Sequence, residues 1–169
     1  MLRTLVFLAA GMVSLGTVGA QGPSTLSLPP VISLAISAVR KSVRAGSPVR
    51  VKVVLTNKSS HGILVGREVR GSDCQIEVRD VNGHLARDTA FGSVRNGRAE
   101  SSRVTPQYLV VNGFDVTVKA GETLSWELDA SKWFDMTQPG KYSIHIQKRD
   151  PESLQTIVKS NAITVRVTP

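Results

Sequence analysis

The chain has 169 residues, carries 21 Lys and Arg against 13 Asp and Glu for a formal charge of +8, and contains one cysteine. A lone cysteine excludes an internal disulfide, so packing must hold the fold, and the length suits one domain with one core. The positive balance would attract anionic partners, such as envelope polymers, acidic proteins, lipid headgroups or nucleic acid, or else serves solubility alone, the reading the composition favours. Aromatics make up only 5% of residues, too few for the base-stacking platforms of nucleic-acid modules, so no nucleic acid is expected.

Met1-Leu2-Arg3 precedes an apolar run over residues 5–13 and small residues ending at Val18-Gly19-Ala20. A basic start, a short apolar stretch and a small-residue exit form a secretory signal over residues 1–20, cut after Ala20. The mature chain is then expected to be exported, periplasmic or extracellular. The run is short and broken by Gly11, which disfavours a membrane span, and no transmembrane segment is expected in the mature chain. Residues 21–30, rich in Ser, Gly and Pro, read as an extended lead-in, and residues 31–169 as a single domain.

Residues 31–39 alternate partially and predict the first strand. Residues 40–47 are basic and polar, with a turn at Ala45-Gly46-Ser47-Pro48. Residues 49–57 give the clearest strand: Val49, Val51, Val53 and Leu55 face one way, which is the period-two pattern of a half-buried strand. The strand ends in a turn cluster, Asn57-Lys58-Ser59-Ser60, which also spells a glycosylation sequon. Residues 63–69 form a weaker strand. Cys74 reads as a small apolar residue entering a strand over 75–79. Asn82-Gly83 predicts a two-residue hairpin turn, with residues 84–87 pairing back.

Residues 88–107 lack strong periodicity and carry Arg95, Arg98 and Arg103. A loop this long in a compact domain is functional or disordered, so these three arginines are the candidate binding residues. Residues 108–111 and 114–118 flank a second hairpin signal, Asn112-Gly113. Lys119-Ala120-Gly121-Glu122 reads as a tight turn with Gly121 at positive φ. Leu124, Trp126 and Leu128 then share one strand face, placing Trp126 in the core, while Trp133 and Phe134 cap one end. Strands over 142–147, 156–158 and 163–167 complete roughly eight to ten, with no helix of ordinary length.

This spacing predicts an all-β fold, an immunoglobulin-like antiparallel β-sandwich with long loops. Pro139-Gly140-Lys141-Tyr142 resembles the tyrosine corner of such sandwiches, in which a phenol bonds back to nearby backbone. "VKVVLTNKS", from Val51 to Ser59, resembles the second-strand signature of bacterial immunoglobulin-like domains. The order of Ile76-Glu77-Val78, Asp80, Asn82-Gly83, Ala120-Gly121-Glu122, Trp126 and Gly140-Lys141-Tyr142 is similar to the bacterial intracellular proteinase inhibitor family. That resemblance implies a sandwich and inhibition of serine proteinases. The chain departs from the family in its export signal and basic insertions, and no segment matches an inhibitory loop.

Enzyme chemistry finds little purchase. His61, His84 and His145 are scattered, with no metal-ligand spacing, and no nucleophile elbow, phosphate loop or dinucleotide fingerprint occurs. No cofactor and no catalytic residue is expected. Asp129, Asp135 and Glu127 around Trp133 raise carbohydrate binding as an alternative. The reading is an exported, non-enzymatic binding or accessory module with a protein or anionic-polymer partner. Proteinase inhibition and binding of carbohydrate or an anionic envelope polymer are the alternatives.

Overall fold

A computed structural model describes residues 29–66, 74–96, 98, 115–153 and 155–169. The predicted elements at 67–69 and 108–111, the Asn112-Gly113 turn and Arg103 lie outside the described residues. Within them the chain forms ten strands: β1 (Ile32–Ala38), β2 (Ser42–Arg44), β3 (Arg50–Asn57), β4 (Ile63–Gly66), β5 (Cys74–Arg79), β6 (Asp115–Val118), β7 (Thr123–Asp129), β8 (Gly140–Arg149), β9 (Ile157–Lys159) and β10 (Ile163–Thr168). A short helix, α1 (Ala90–Arg95), and a 3-10 turn, Ala130–Lys132, are the helical elements among them.

One sheet runs β1-β3-β7, a second runs β2-β10-β8-β5 with β9 further along β8, and β4 pairs with β6 as a ribbon. The alternation in β3 buries Val51, Val53 and Leu55 completely. These meet Ile76 and Val78 from β5, Ile144 and Ile146 from β8, and Val165 and Val167 from β10 in one apolar core. Two sheets closing one core make the predicted immunoglobulin-like sandwich. Neighbouring strands are antiparallel except β2 and β10, which run parallel.

Tyr142 closes the corner as predicted: its ring is buried and its hydroxyl donates to the Gln138 carbonyl at 2.9 Å. Burial lifts the phenol above its ordinary value of 10.0, helped by the charges of Asp135 and Asp80. A raised folded value means stability that is fully present below pH 10.0 and is lost as pH rises through the folded value. Tyr142→Phe is therefore expected to cost about 1 kcal/mol near neutrality. It should also remove part of the alkaline loss. Urea midpoints at neutral and alkaline pH check both effects, and a variant whose alkaline loss matched the native protein's would contradict them.

Four expectations are corrected. The basic 40–47 segment contains strand β2, which lies beside β10 through the Ala45 N–H to Thr168 carbonyl bond and the Arg166 N–H to Lys41 carbonyl bond. The Asn82-Gly83 turn is not a two-residue turn, because only Gly83 has positive φ (81°). Gly83 N–H donates to Asp80, and Asp80 N–H donates to His84, so the loop is a type I turn followed by a left-handed Gly. Residues 84–87 pair back through a single bridge, Arg79 to Leu85. The 88–107 segment holds helix α1, capped by the Thr89 hydroxyl accepting from Gly92 N–H. Trp126 is half-buried, because β7 is the outer strand of its sheet and covers the core only from one side.

The sequon is also closed. Asn57 is fully buried, and its amide donates to the carbonyls of His61 (2.7 Å) and Val118 (2.9 Å). Its side-chain oxygen accepts from Ser59 N–H and hydroxyl. The folded chain therefore has no free amide there to modify. Lys119–Glu122 is the predicted turn, with Gly121 at φ 73°. Rather than closing a hairpin, it carries the chain from β6, paired to β4, into β7, paired to β3.

The outer edge of β1 is occupied by a side chain. Asn161 accepts from Ile36 N–H at 2.8 Å and donates to the Ile36 carbonyl at 3.0 Å, copying one strand residue. Nearby, the buried Asp150 accepts from the N–H groups of Val31, Glu152 and Ser153, tying the start of β1 to the turn after β8.

Candidate anion-binding cleft

Arg98, singled out from sequence, is engaged within the protein. Its guanidinium pairs with Asp88 through two contacts, at 2.6 and 3.0 Å. Asn96 donates to the same carboxylate, so the pair fastens the chain just beyond α1. Arg95 is the last residue of α1. The described residues bring Arg98 to a small cleft of about 350 Å³ beside Gln75, Glu77 and Gln147.

The position of α1 follows from one glycine. Thr89 N–H donates to the Trp133 carbonyl, and Phe91 meets the Trp133 ring edge-on at a centroid distance of 5.1 Å. Gly92 lies so close to the Trp133 backbone that a Cβ would sit 1.9 Å from its carbonyl oxygen. Trp133 and Phe134, expected to cap one end of the sandwich, are buried as part of its core. The carboxylates near them serve the backbone: Asp129 accepts from Val49 and Ser131, and Asp135 accepts from the Thr137 hydroxyl and N–H. Those two Thr137 bonds hold the Asp135 carboxyl below its usual range, with Arg87 adding to the effect against a desolvation that opposes it.

A larger cleft, about 660 Å³, opens where β1 crosses from one sheet to β2 in the other. Arg40, Arg44 and Arg50 line it, with Ser42, Ser47 and Thr168 between them. The described ion pairs lie elsewhere. The rim is held by backbone bonds. Ser47 N–H donates to Arg44 across a turn in which Gly46 takes φ 77°, and Val39 N–H donates to Arg50. The Thr168 hydroxyl donates to the Val43 carbonyl. Guanidiniums are permanent cations with planar donor forks suited to carboxylate, sulfate or phosphate, and none can serve as a base near neutrality. The arrangement can bind an anion and offers no proton-transfer group. Sequence reasoning noted this stretch as basic but did not treat it as a site. The signal was present: Arg40, Lys41, Arg44 and Arg50 surround one glycine turn.

Each histidine lies beside a carboxylate: His84 by Asp80, four residues earlier in the same turn, and His61 by Glu152 and His145 by Glu77, which are far apart in sequence. No group of three His, Cys, Asp or Glu that could hold a metal occurs among the described residues. No helix among them is long and apolar enough to cross a membrane.

No family model matches the chain. No curated protein matches it either. Among solved structures, the chain is similar to the CARDB domain of a Pyrococcus furiosus protein in complex with di-metal ions, at 16% identity and a TM-score of 0.42, over 82% of this chain and 89% of that one. It is similar to a β-glucosidase mutant from Listeria innocua at 16% identity and a TM-score of 0.41, over 82% of this chain but only 16% of the enzyme. An alkylpurine DNA glycosylase from Pseudomonas fluorescens matches at 12% identity and a TM-score of 0.41, over 83% of this chain and 31% of that protein.

Proposed function

We propose that the chain is an exported, non-enzymatic binding module that recognises an anionic partner through the cleft between β1, β2 and β3. The observation that carries this reading is the lining of that cleft: three arginines separated by hydroxyls on a backbone already tied by hydrogen bonds. Preformed sites lose little conformational freedom on binding, so charge complementarity is translated into affinity. Export is supported by the signal pattern over residues 1–20. The absence of a catalytic role is supported by the chemistry of the cleft, where guanidiniums and hydroxyls replace acids and bases.

The test is binding of fluorescein-labelled polygalacturonate to the purified protein. Changing Arg40, Arg44 and Arg50 together to serine is expected to weaken it at least tenfold, about 1.4 kcal/mol. Rising salt should weaken the native protein more steeply than the variant. Equal binding by both proteins at every salt concentration would refute the cleft. Changing Arg98 to serine tests the competing loop surface; the Asp88 pair leads us to expect a change in stability with little change in binding.

A further inference from the structure

Beyond the cleft, the outer face of the β2-β10-β8 sheet has an unusual register. Arg166 on β10 sits opposite Ser42 on β2 and opposite Lys141 on β8. Val165, Val167 and Tyr142 alternate with them and point into the core, so Arg166 and Lys141 share the outer face, and both are exposed. Like charges directly opposite one another on neighbouring strands disfavour the sheet. The other large sheet does the reverse: Lys52 stands opposite Glu127, and Arg50 opposite Asp129. Neither Arg166 nor Lys141 forms a side-chain ion pair among the described residues.

The row joins the cleft directly. Ser42 lines the cleft and pairs with Arg166, while Arg44 lines it and pairs with Thr168. The next row continues with Thr164 opposite Ser143, and Ser143 opposite Arg79. Arg79 is taken up by Glu77 and the Gly83 carbonyl, which ends the unpaired charge on that side. Along each strand the face alternates cation and hydroxyl, with Ser42 and Arg44 on β2, Arg166 between Thr164 and Thr168 on β10, and Lys141 and Ser143 on β8, and neighbouring strands lie about 4.8 Å apart. The described aromatics lie elsewhere: Phe91 and Trp133 pack together, Phe134 and Tyr142 are buried, and Trp126 is on β7.

Resting on the cleft reading, we infer that the ligand is a linear acidic polysaccharide, which enters the cleft and extends over Arg166 and Lys141. A repeating anion explains why charge is spread along a row rather than gathered at one point. Hydroxyls beside the cations along the strands, Thr164 and Thr168 flanking Arg166 and Ser143 following Lys141, match a polyhydroxylated backbone. Nucleic acid would call for aromatic faces on which bases stack, and this face has none among the described residues.

The experiment compares native protein, a face variant (Lys141→Ser with Arg166→Ser) and the cleft variant (Arg40→Ser, Arg44→Ser and Arg50→Ser). Probes are polygalacturonate, galacturonate trimer and single-stranded oligothymidylate. The face variant should bind polygalacturonate about tenfold more weakly than native, with trimer binding unchanged. Oligothymidylate should bind native protein more weakly than polygalacturonate of equal charge. A face variant that retains native affinity for polygalacturonate, while the cleft variant loses it, overturns this inference and leaves the cleft standing. Loss of neither overturns both. Tighter binding of oligothymidylate overturns the ligand class. Removing the like-charge pair should leave the melting temperature unchanged or raised, so a folded variant is available. If the double variant fails to fold, Lys141→Gln alone carries the same comparison.

Discussion

Asn57→Ala is expected to destabilise the domain by about 3 kcal/mol, because it leaves buried backbone groups without partners. The side chain is wholly inside the protein and makes four hydrogen bonds, joining the end of β3, the following turn and β6. The Val118 carbonyl loses its amide donor in a buried environment, and water cannot enter without displacing apolar neighbours. The backbone of the same residue also accepts from Gly121 and donates to Glu122, so disorder would pass to the turn before β7. Urea denaturation measures the loss. A change within about 0.5 kcal/mol, the range of ordinary surface substitutions, would show that the network contributes nothing.

Gly92→Ala should have a comparable effect by a different route, overpacking, at about 3 kcal/mol. The added carbon would lie 1.9 Å from the Trp133 carbonyl oxygen, and backbone on both sides leaves no flexible side chain to yield. Helix α1 must then move off the 3-10 turn. The Thr89 to Trp133 bond and the edge-on Phe91 contact break with it. The expected readouts are a lower melting temperature and a red shift of tryptophan emission as Trp133 meets water. Native emission with a native melting temperature would mean that the helix tolerates a closer approach than its packing allows.

Strand periodicity made much of this sandwich legible. Val49 to Leu55 alternate because one face of β3 is buried and the other is wet, and nothing else in that segment competes with the pattern. The Tyr142 corner was legible for the same local reason: Gly140, Lys141 and Tyr142 act within a few residues of one another. Strand β2 was not legible. Three residues with one half-buried valine carry no period, and what makes them a strand is β10, over a hundred positions away. Helix α1 was hidden too, since its glycine is a poor helix former kept for contact with Trp133.

The candidate site divides along the same line. The basic character of residues 40–50 was visible, but the cleft requires β2 to place Arg44 and the sheet crossing to bring up Arg50. Arg98 looked available because Asp88, its partner, is ten positions earlier and is reached only after α1 turns the chain. The row through Arg166 and Lys141 exists only in the register of two strands that sequence order alone does not align.

The Asn161 amide has a consequence for how this domain meets others. A bare strand border is a template on which foreign segments can polymerise, and natural sheets guard such borders. Here one carboxamide fills both positions at Ile36, so an incoming strand would have to evict a satisfied group before zipping onward. Self-association along that side is thereby discouraged at the expense of a single residue.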